Sequence, residues 1–564
     1  MEQQATVDQE LVKTRGEPTR TVFDGPCRLT VAGDCGAGRE ELMRALGAVA
    51  AHQWAALTRW PGSYWVSAHA ADGTRFVAGD LAGTRPVYYT RHEHGPVWDV
   101  HLGDLAEQTK APMDLEFLVA RLACGPQHWP DRTPYRGINL VPGGYGLVIS
   151  RSETSLVDVC DVRPVEDLCS GAEAFGRALT RAVQRPVCIA GVEVGADLSG
   201  GLDSGTAVLL AAAAGPVRAV TYTDGQTSGE DTAYALRIAE HARIPHEIAA
   251  GGDAHLPFRL DGTPDTDEPA ADVVNWHMDR LYLGPVAGRP LHLTGHGGDV
   301  VLDASSAAWV GMIQRGEERA AKRHAAAWAR LRGIAPGPYW KALRRSAALG
   351  PHGALLSAAD RLKSGALPAE GPPGWTWCRL GSAASWLTPY ARTRAAAMLR
   401  RAAEEGPAQF ADEAEQWAAL RATGEEARTA RSLYAALDVR PLYPYLDNEV
   451  VRAAFAVPAS ARRGVVTYKP LLAAALPALP EWLTARRSKG SFTAQRIAGL
   501  ARHQFALARL IQDSPLVSEG LIDPVAARRT LLEAARGQGA APIASLHQLI
   551  ATCQWLTGRR GAGC

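Results

Sequence analysis

The stretch that most limits what this chain can fold into is VEVGADLSGGLDSGTAVLLAAAA, residues 192–214. An apolar, strand-like run ends in Ser199-Gly200-Gly201, and an apolar helical run follows at once. A second strand-like run, VRAVTYTDG at 217–225, leads to the amphipathic pattern DTAYALRIAEHARI at 231–244 and later to the run RPLHLTG at 289–295. Strand and helix alternating at this pace predict a parallel sheet wrapped by helices. GAEAFGRALTRAVQR at 171–185 has helical periodicity, and beyond about 305 the patterns are mainly helical, as in GEERAAKRHAAAWARLR.

Residues 20–160 have another texture: short runs such as CRLTVAG, GSYWVSAHA, TRFVAGD, RPVYYT, GPVWDVHLG and GYGLVIS, broken by Gly, Pro and Asp. This spacing predicts a sheet-rich region with few helices. The expected fold is α/β: a sheet-rich α+β region over 1–165, then a parallel α/β domain with helical additions over 170–564. The polar stretch DVRPVEDLCSG at 161–171 marks the boundary. A length of 564 residues allows such a division. The formal net charge of +1 gives no pull toward nucleic acid or a membrane surface. Nine cysteines without a CxxC pair suggest neither a zinc site nor a disulfide framework. The chain opens polar and acidic, unlike a signal peptide, and no apolar stretch has the length of a spanning helix. These features lead to the expectation of a cytoplasmic protein.

A strand that delivers Ser199, Gly200 and Gly201 to a helix start presents backbone N–H groups at the positive end of the helix dipole, which suits a phosphate. Glycine admits close approach, and serine hydroxyls add donors. Asp203 in the first turn can hold the Mg²⁺ that accompanies a nucleotide. Read alone, the same residues also describe an ordinary strand-to-helix turn with Asp near the helix start. A Gly-Lys-Ser/Thr loop and a GxGxxG loop are both absent here.

SGGLDS resembles the pyrophosphate loop of ATP-pyrophosphatase enzymes, in the form found in asparagine-synthetase-like proteins. Three further stretches follow in that family's order: LTGHGGDVVL at 293–302, YPYLDNEVVRAAFAVP at 443–458, and YKPLLAAALPALPEWLTARRSKGSF at 468–492. The resemblance implies ATP at Leu198, Ser199, Gly200, Gly201, Asp203 and Ser204, at Thr221, Tyr222 and Thr223 of the second strand, and at Gly295. It implies Mg²⁺ between Asp203 and Asp299. Lys489 falls on the family's conserved-position lysine, a cation able to stabilise phosphate and oxyanion charge. Lys469 is a weaker second candidate. His296 stands where asparagine synthetases carry Glu and β-lactam synthetases carry Tyr, and a histidine there can act as a mild general base. Asp438 is a candidate counterpart of the family's Glu before its PFLD segment, although the spacing differs by two residues.

The N-terminal region resembles class II glutaminase domains in GDLAGTRPVYY at 79–89 and GINLVPGGY at 137–145. That chemistry needs a cysteine directly after the initiator Met, whereas position 2 is Glu2 and the first cysteine is Cys27. The region is therefore expected to be a scaffold, with the nitrogen nucleophile coming from another source than glutamine. An intact synthetase core behind such a domain is similar to the lasso-peptide macrolactam synthetases. That resemblance implies adenylation of an Asp or Glu side chain in a leader-cleaved core peptide, then attack by the peptide's own α-amine, with release of AMP and pyrophosphate. The implied partners are the core peptide, a leader peptidase and a leader-recognition protein. Residues 305–440, helical and bearing several Trp, are expected to offer a wide groove for a folded peptide. The alternatives are a β-lactam-synthetase-like ligase of small molecules, an ammonia-dependent asparagine synthetase, and a nucleotide-sensing scaffold without activity.

Overall fold

A computed structural model describes residues 16–92, 95–151, 153–367, 374–406, 409–486, 490–539 and 542–561. The N-terminal region is built on a six-stranded antiparallel sheet in the order β1-β2-β3-β4-β8-β9: Thr19–Asp24, Cys27–Cys35, Gly62–His69, Arg75–Ala78, Tyr145–Ser150 and Glu153–Asp158. A three-stranded sheet, β6-β5-β7, comprises Gly95–Asp99, Tyr88–His92 and Asn139–Leu140. The larger sheet is covered on both faces, which is why β2 and β3 are buried almost throughout instead of alternating. Leu42, Leu46 and Val49 of helix Arg39–Ala50 pack on one side with Leu29, Val31 and Val66. Trp98 of β6 packs on the other with Trp65, Val77 and Leu147. The region holds more helix than its strand-like texture predicts, because Leu102–Thr109 and Leu115–Cys124 also fold as helices, the latter capped by Asp114.

The C-terminal part is organised by a five-stranded parallel sheet in the order β12-β11-β10-β13-β14: His246–Ala250, Val217–Thr223, Val194–Asp197, His292–Leu293 and Pro441–Leu442. β12 and β14 carry no clear strand pattern, and β13 is two residues long. The 23-residue helix Leu168–Ala190, N-capped by Asp167, buries Phe175, Leu179 and Val183 in the core of this part. Each such side chain contributes about 1.5–3 kcal/mol on burial.

β10 lies between β11, which follows it through helix Leu202–Ala212, and β13, which comes nearly a hundred residues later. The connections leave β10 on opposite sides, so a crevice opens at the carboxyl ends of β10 and β13, where open α/β sheets bind ligands. The Ser-Gly-Gly turn leaves β10 at that point, and the Gly-His-Gly-Gly turn leaves β13 beside it. Among the described residues, no helix is long and apolar enough to cross a membrane.

Candidate active site

A cavity of about 480 Å³ occupies this crevice, and Leu198, Ser199, Gly201, Asp203 and Ser204 line it. Gly200 takes φ +75°, and a Cβ there would lie 2.1 Å from the Asp231 carbonyl oxygen, so this position admits glycine alone. The two serines brace the turn: their hydroxyls lie 2.9 Å apart, and the Ser199 N–H donates to Ser204 Oγ at 3.2 Å. No side chain caps helix Leu202–Ala212 at Gly201, leaving the dipole's positive end toward the cavity. The second turn packs directly on the first. A Cβ on Gly295 would come within 2.7 Å of the Ser204 nitrogen, and one on Gly298 within 2.5 Å of Asp203 Cγ.

Arg486, 5% exposed, donates to the Gly200 carbonyl and to Asp231 Oδ1, tying the turn to the start of helix Gly229–Ala242. Thr221 lines the cavity, with its hydroxyl donating to the Leu198 carbonyl and lying 2.7 Å from His246 Nε2. Tyr222 also lines the cavity, and its hydroxyl donates to Asp224 at 2.9 Å.

Lys469 holds a more central place than its sequence context suggests. Its Nζ donates to Asp203 Oδ1 and Oδ2 at 2.6 and 2.5 Å and reaches Asp299 Oδ1 at 2.7 Å. The two carboxylates raise the ammonium's pKa against the opposing effect of burial, the largest influence on it. Tyr445 steadies the same point by donating to the Asp203 carbonyl at 3.0 Å. Two carboxylates that share one ammonium converge closely enough to share a divalent cation. Mg²⁺ takes one or two carboxylates and completes its shell with phosphates and water. Among the described residues, no three His, Cys, Asp or Glu side chains form a metal cluster. The donor set thus fits an ion carried with nucleotide phosphates.

His296 enters from the second turn. Its Nε2 lies 3.0 Å from the Thr423 carbonyl oxygen and 3.9 Å from Glu426 Oε2, and its ring meets Tyr443 edge-on at 5.7 Å. A carbonyl only accepts, so Nε2 carries the hydrogen and Nδ1 is the basic nitrogen of the neutral ring. Burial pushes the Glu426 carboxyl above its ordinary range, while His296 draws it down. Beyond His296 the cavity is lined by Asp272, Asp279, Tyr282, Tyr434 and Tyr443. Burial, with Asp272 and Asp197 nearby, pushes the Asp279 carboxyl well above the usual carboxylate range.

Several expectations change. Asp438 does not line this cavity. It follows helix Arg431–Ala436 with φ +55°, accepts from Gly288 N–H through its carbonyl at 2.8 Å, and borders a neighbouring cavity of about 790 Å³. Asp438 comes before β14, at the amino end of that parallel strand, whereas the cavity lies at the carboxyl ends. Glu426, from helix Ala411–Thr429, is the glutamate that meets His296 instead. Thr223 lies outside the lining, its hydroxyl 3.1 Å from that of Thr227. Residues 305–425 contribute nothing to the lining among the described residues, so the expected groove over 305–440 touches this cavity through its last helices alone. Lys489 lies outside the described residues. Glu426, Asp272 and Asp279 sit in no recognisable motif, and Arg486, although within the 468–492 stretch, was not singled out there as a site residue.

In the N-terminal region the described cysteines offer no reactive thiolate. Cys27, Cys35 and Cys124 are buried, with the Cys35 thiol pushed up to about 11, and burial likewise raises Cys160, whose thiol lies 3.4 Å from the Gly144 carbonyl.

A comparison with curated proteins gives no match. The family model described as asparagine synthase matches residues 174–557, about two thirds of the chain, and spans both nucleotide turns, Lys469 and Arg486. With its parallel sheet and convergent turns in the places this match covers, the chain belongs to the asparagine synthase family, ATP-dependent ligases that form carbon–nitrogen bonds.

Proposed function

We propose that this protein closes a macrolactam in a leader-cleaved peptide, as a lasso-peptide cyclase. An Asp or Glu side chain of the peptide attacks the α-phosphorus of ATP, and pyrophosphate leaves. The peptide's α-amine then attacks the acyl carbon; the new C–N bond forms as the C–O bond to AMP breaks, and the amine proton passes to His296 Nδ1. Backbone N–H groups of the Ser199–Ser204 turn receive the phosphates, and Asp203 and Asp299 would hold Mg²⁺, which neutralises phosphate charge when bound. Lys469 and Arg486 keep these groups in register from behind. Lys489 is proposed as the cation over the α-phosphate. Thr423 and Glu426 orient the His296 ring.

The observation that carries this reading is the placement of His296. A neutral-capable base faces the same cavity as the phosphate turn, suited to an α-amine whose pKa of roughly 7.7–8.0 needs little help to lose a proton. The N-terminal region, proposed to span 1–165, acts as a scaffold: Asn448 Oδ1 accepts from Leu81 N–H at 2.9 Å, and Arg452 donates to the Thr58 carbonyl at 2.7 Å. A leader peptidase and a leader-recognition protein would supply the substrate. Incubation with ATP, Mg²⁺ and the leader-free peptide encoded nearby should give a product lighter by one water, with AMP and pyrophosphate. ADP and phosphate would overturn the adenylation route. Turnover of a free β-amino acid in place of the peptide would favour a β-lactam-synthetase-like ligase.

A further inference from the structure

The two ends of the cavity differ in how their charges are paired. At the two glycine turns Lys469 and Arg486, the cationic side chains of the described lining, pair with Asp203, Asp299 and Asp231. The opposite end carries Asp272, Asp279 and Glu426, with Asp197 at its floor, and no Lys or Arg among the described lining. Asp197 is matched by His292, whose Nε2 lies 2.8 Å from Oδ1, and Glu426 stands near His296. The side chains of Asp272 and Asp279 make no hydrogen bond or ion pair with any described residue. Burial and the acidic neighbours push the Asp279 carboxyl up, and with no described cation beside either group, a cation arriving from outside would let both hold their charge.

The phenols of the same wall carry an independent sign. Tyr282 and Tyr434 pack on the apolar cluster of Val220, Leu283, Val286 and Val439 and line the cavity, and their hydroxyls make no hydrogen bond to a described residue. The Tyr443 hydroxyl, on the same wall, is buried without a partner. Phenol oxygens and ring faces around two free carboxylates form a setting suited to a compact, strongly hydrated cation. A ribose hydroxyl can also donate to a carboxylate, but it brings no positive charge, and the ATP affinity measured below separates the two occupants.

We propose that Asp272 and Asp279, walled by Tyr282, Tyr434 and Tyr443, form the subsite that receives the substrate's primary ammonium group. This rests on the reading of the protein as an amide-forming ligase with an amine nucleophile. The subsite gathers the amine in its charged form beside His296, while the carboxylate partner is activated at the glycine turns.

The probes are triglycinamide, with a free α-amine and no carboxylate, and its N-acetyl derivative, followed by ligand-observed NMR on the full chain at about pH 7, where the amine is mostly protonated. The free amine should bind the wild-type protein at least tenfold more tightly than the acetylated probe. D272N/D279N should abolish that preference, and Tyr434→Phe should reduce it, while calorimetry gives the same ATP affinity for all three proteins. Equal binding of the two probes to wild type would overturn the proposal, as would a variant that loses ATP affinity instead. Failure of the ligase reading is visible separately, as absence of AMP and pyrophosphate from the peptide reaction while the amine preference persists.

Discussion

Replacing Lys469 with methionine removes the charge between Asp203 and Asp299 while nearly keeping the volume of a side chain that is 2% exposed. The Asp203 side chain is 15% exposed and the Asp299 side chain 58%. Breaking a buried ion pair from one side costs about 3–5 kcal/mol, because the remaining charge is left uncompensated. The Asp299 share is screened by solvent to about 0–1 kcal/mol, so Asp203 dominates. With an unfolding entropy near 2.1 cal/mol/K per residue, the variant should melt roughly 3–4 °C lower in the presence of a chelator. The ion pair raises the ammonium's pKa, so its contribution is complete below the ordinary lysine value and lost as pH rises through the raised one. A scan near pH 7 therefore reads the whole effect. Excess MgCl₂ should narrow the gap, since an ion held by Asp203 and Asp299 contributes about 2.7 kcal/mol at a hundredfold excess over its Kd. A variant that melts with wild type in chelator, or one that Mg²⁺ leaves unrescued, would refute the placement of Lys469 as countercharge to a metal-binding pair.

His296→Ala should lower amide formation by about 10²–10⁴-fold while ATP–pyrophosphate exchange persists; loss of both steps alike would deny it the role of base. Gly295→Ala puts a methyl group 2.7 Å from the Ser204 nitrogen and should depress ATP–pyrophosphate exchange at saturating ATP about a hundredfold by displacing the two turns; unchanged exchange would refute this. Asp447, 5% exposed, caps helix Asn448–Ala456 by accepting from Glu449 N–H at 2.7 Å, and burial pushes its carboxyl up to about 7. The folded state then holds the proton longer than the unfolded chain, so this group lowers stability as pH rises from about 4 to 7. Asp447→Asn keeps the cap without the charge and should flatten that slope, gaining up to about 4 kcal/mol at pH 8 in denaturant titrations.

The strand–turn–helix at residues 192–214 was readable because its information is local: an apolar run, two glycines, and a helix start follow one another in the chain. The same holds for helix Gly229–Ala242 with Ser228 as its cap. Strands β12 and β14 were not readable, since Pro441–Leu442 becomes a strand through pairing with His292–Leu293, a partner distant in sequence. Asp438 shows the opposite case: a resemblance with a two-residue mismatch pointed to the site, but the residue lies at the amino end of β14 and borders another cavity.

By itself, then, the sequence determined the parallel α/β architecture and the Ser-Gly-Gly turn, written in short-range patterns that backbone geometry reads directly, while the pairing of Asp203 with Asp299 came from the family resemblance. The tertiary structure decided which charges meet. Lys469 reaches Asp203 across 266 positions, Arg486 reaches Gly200 across 286, and Glu426 comes to His296 from a helix without a motif. Those encounters depend on how helices pack over the sheet's carboxyl edge, and packing follows from the sum of many buried contacts.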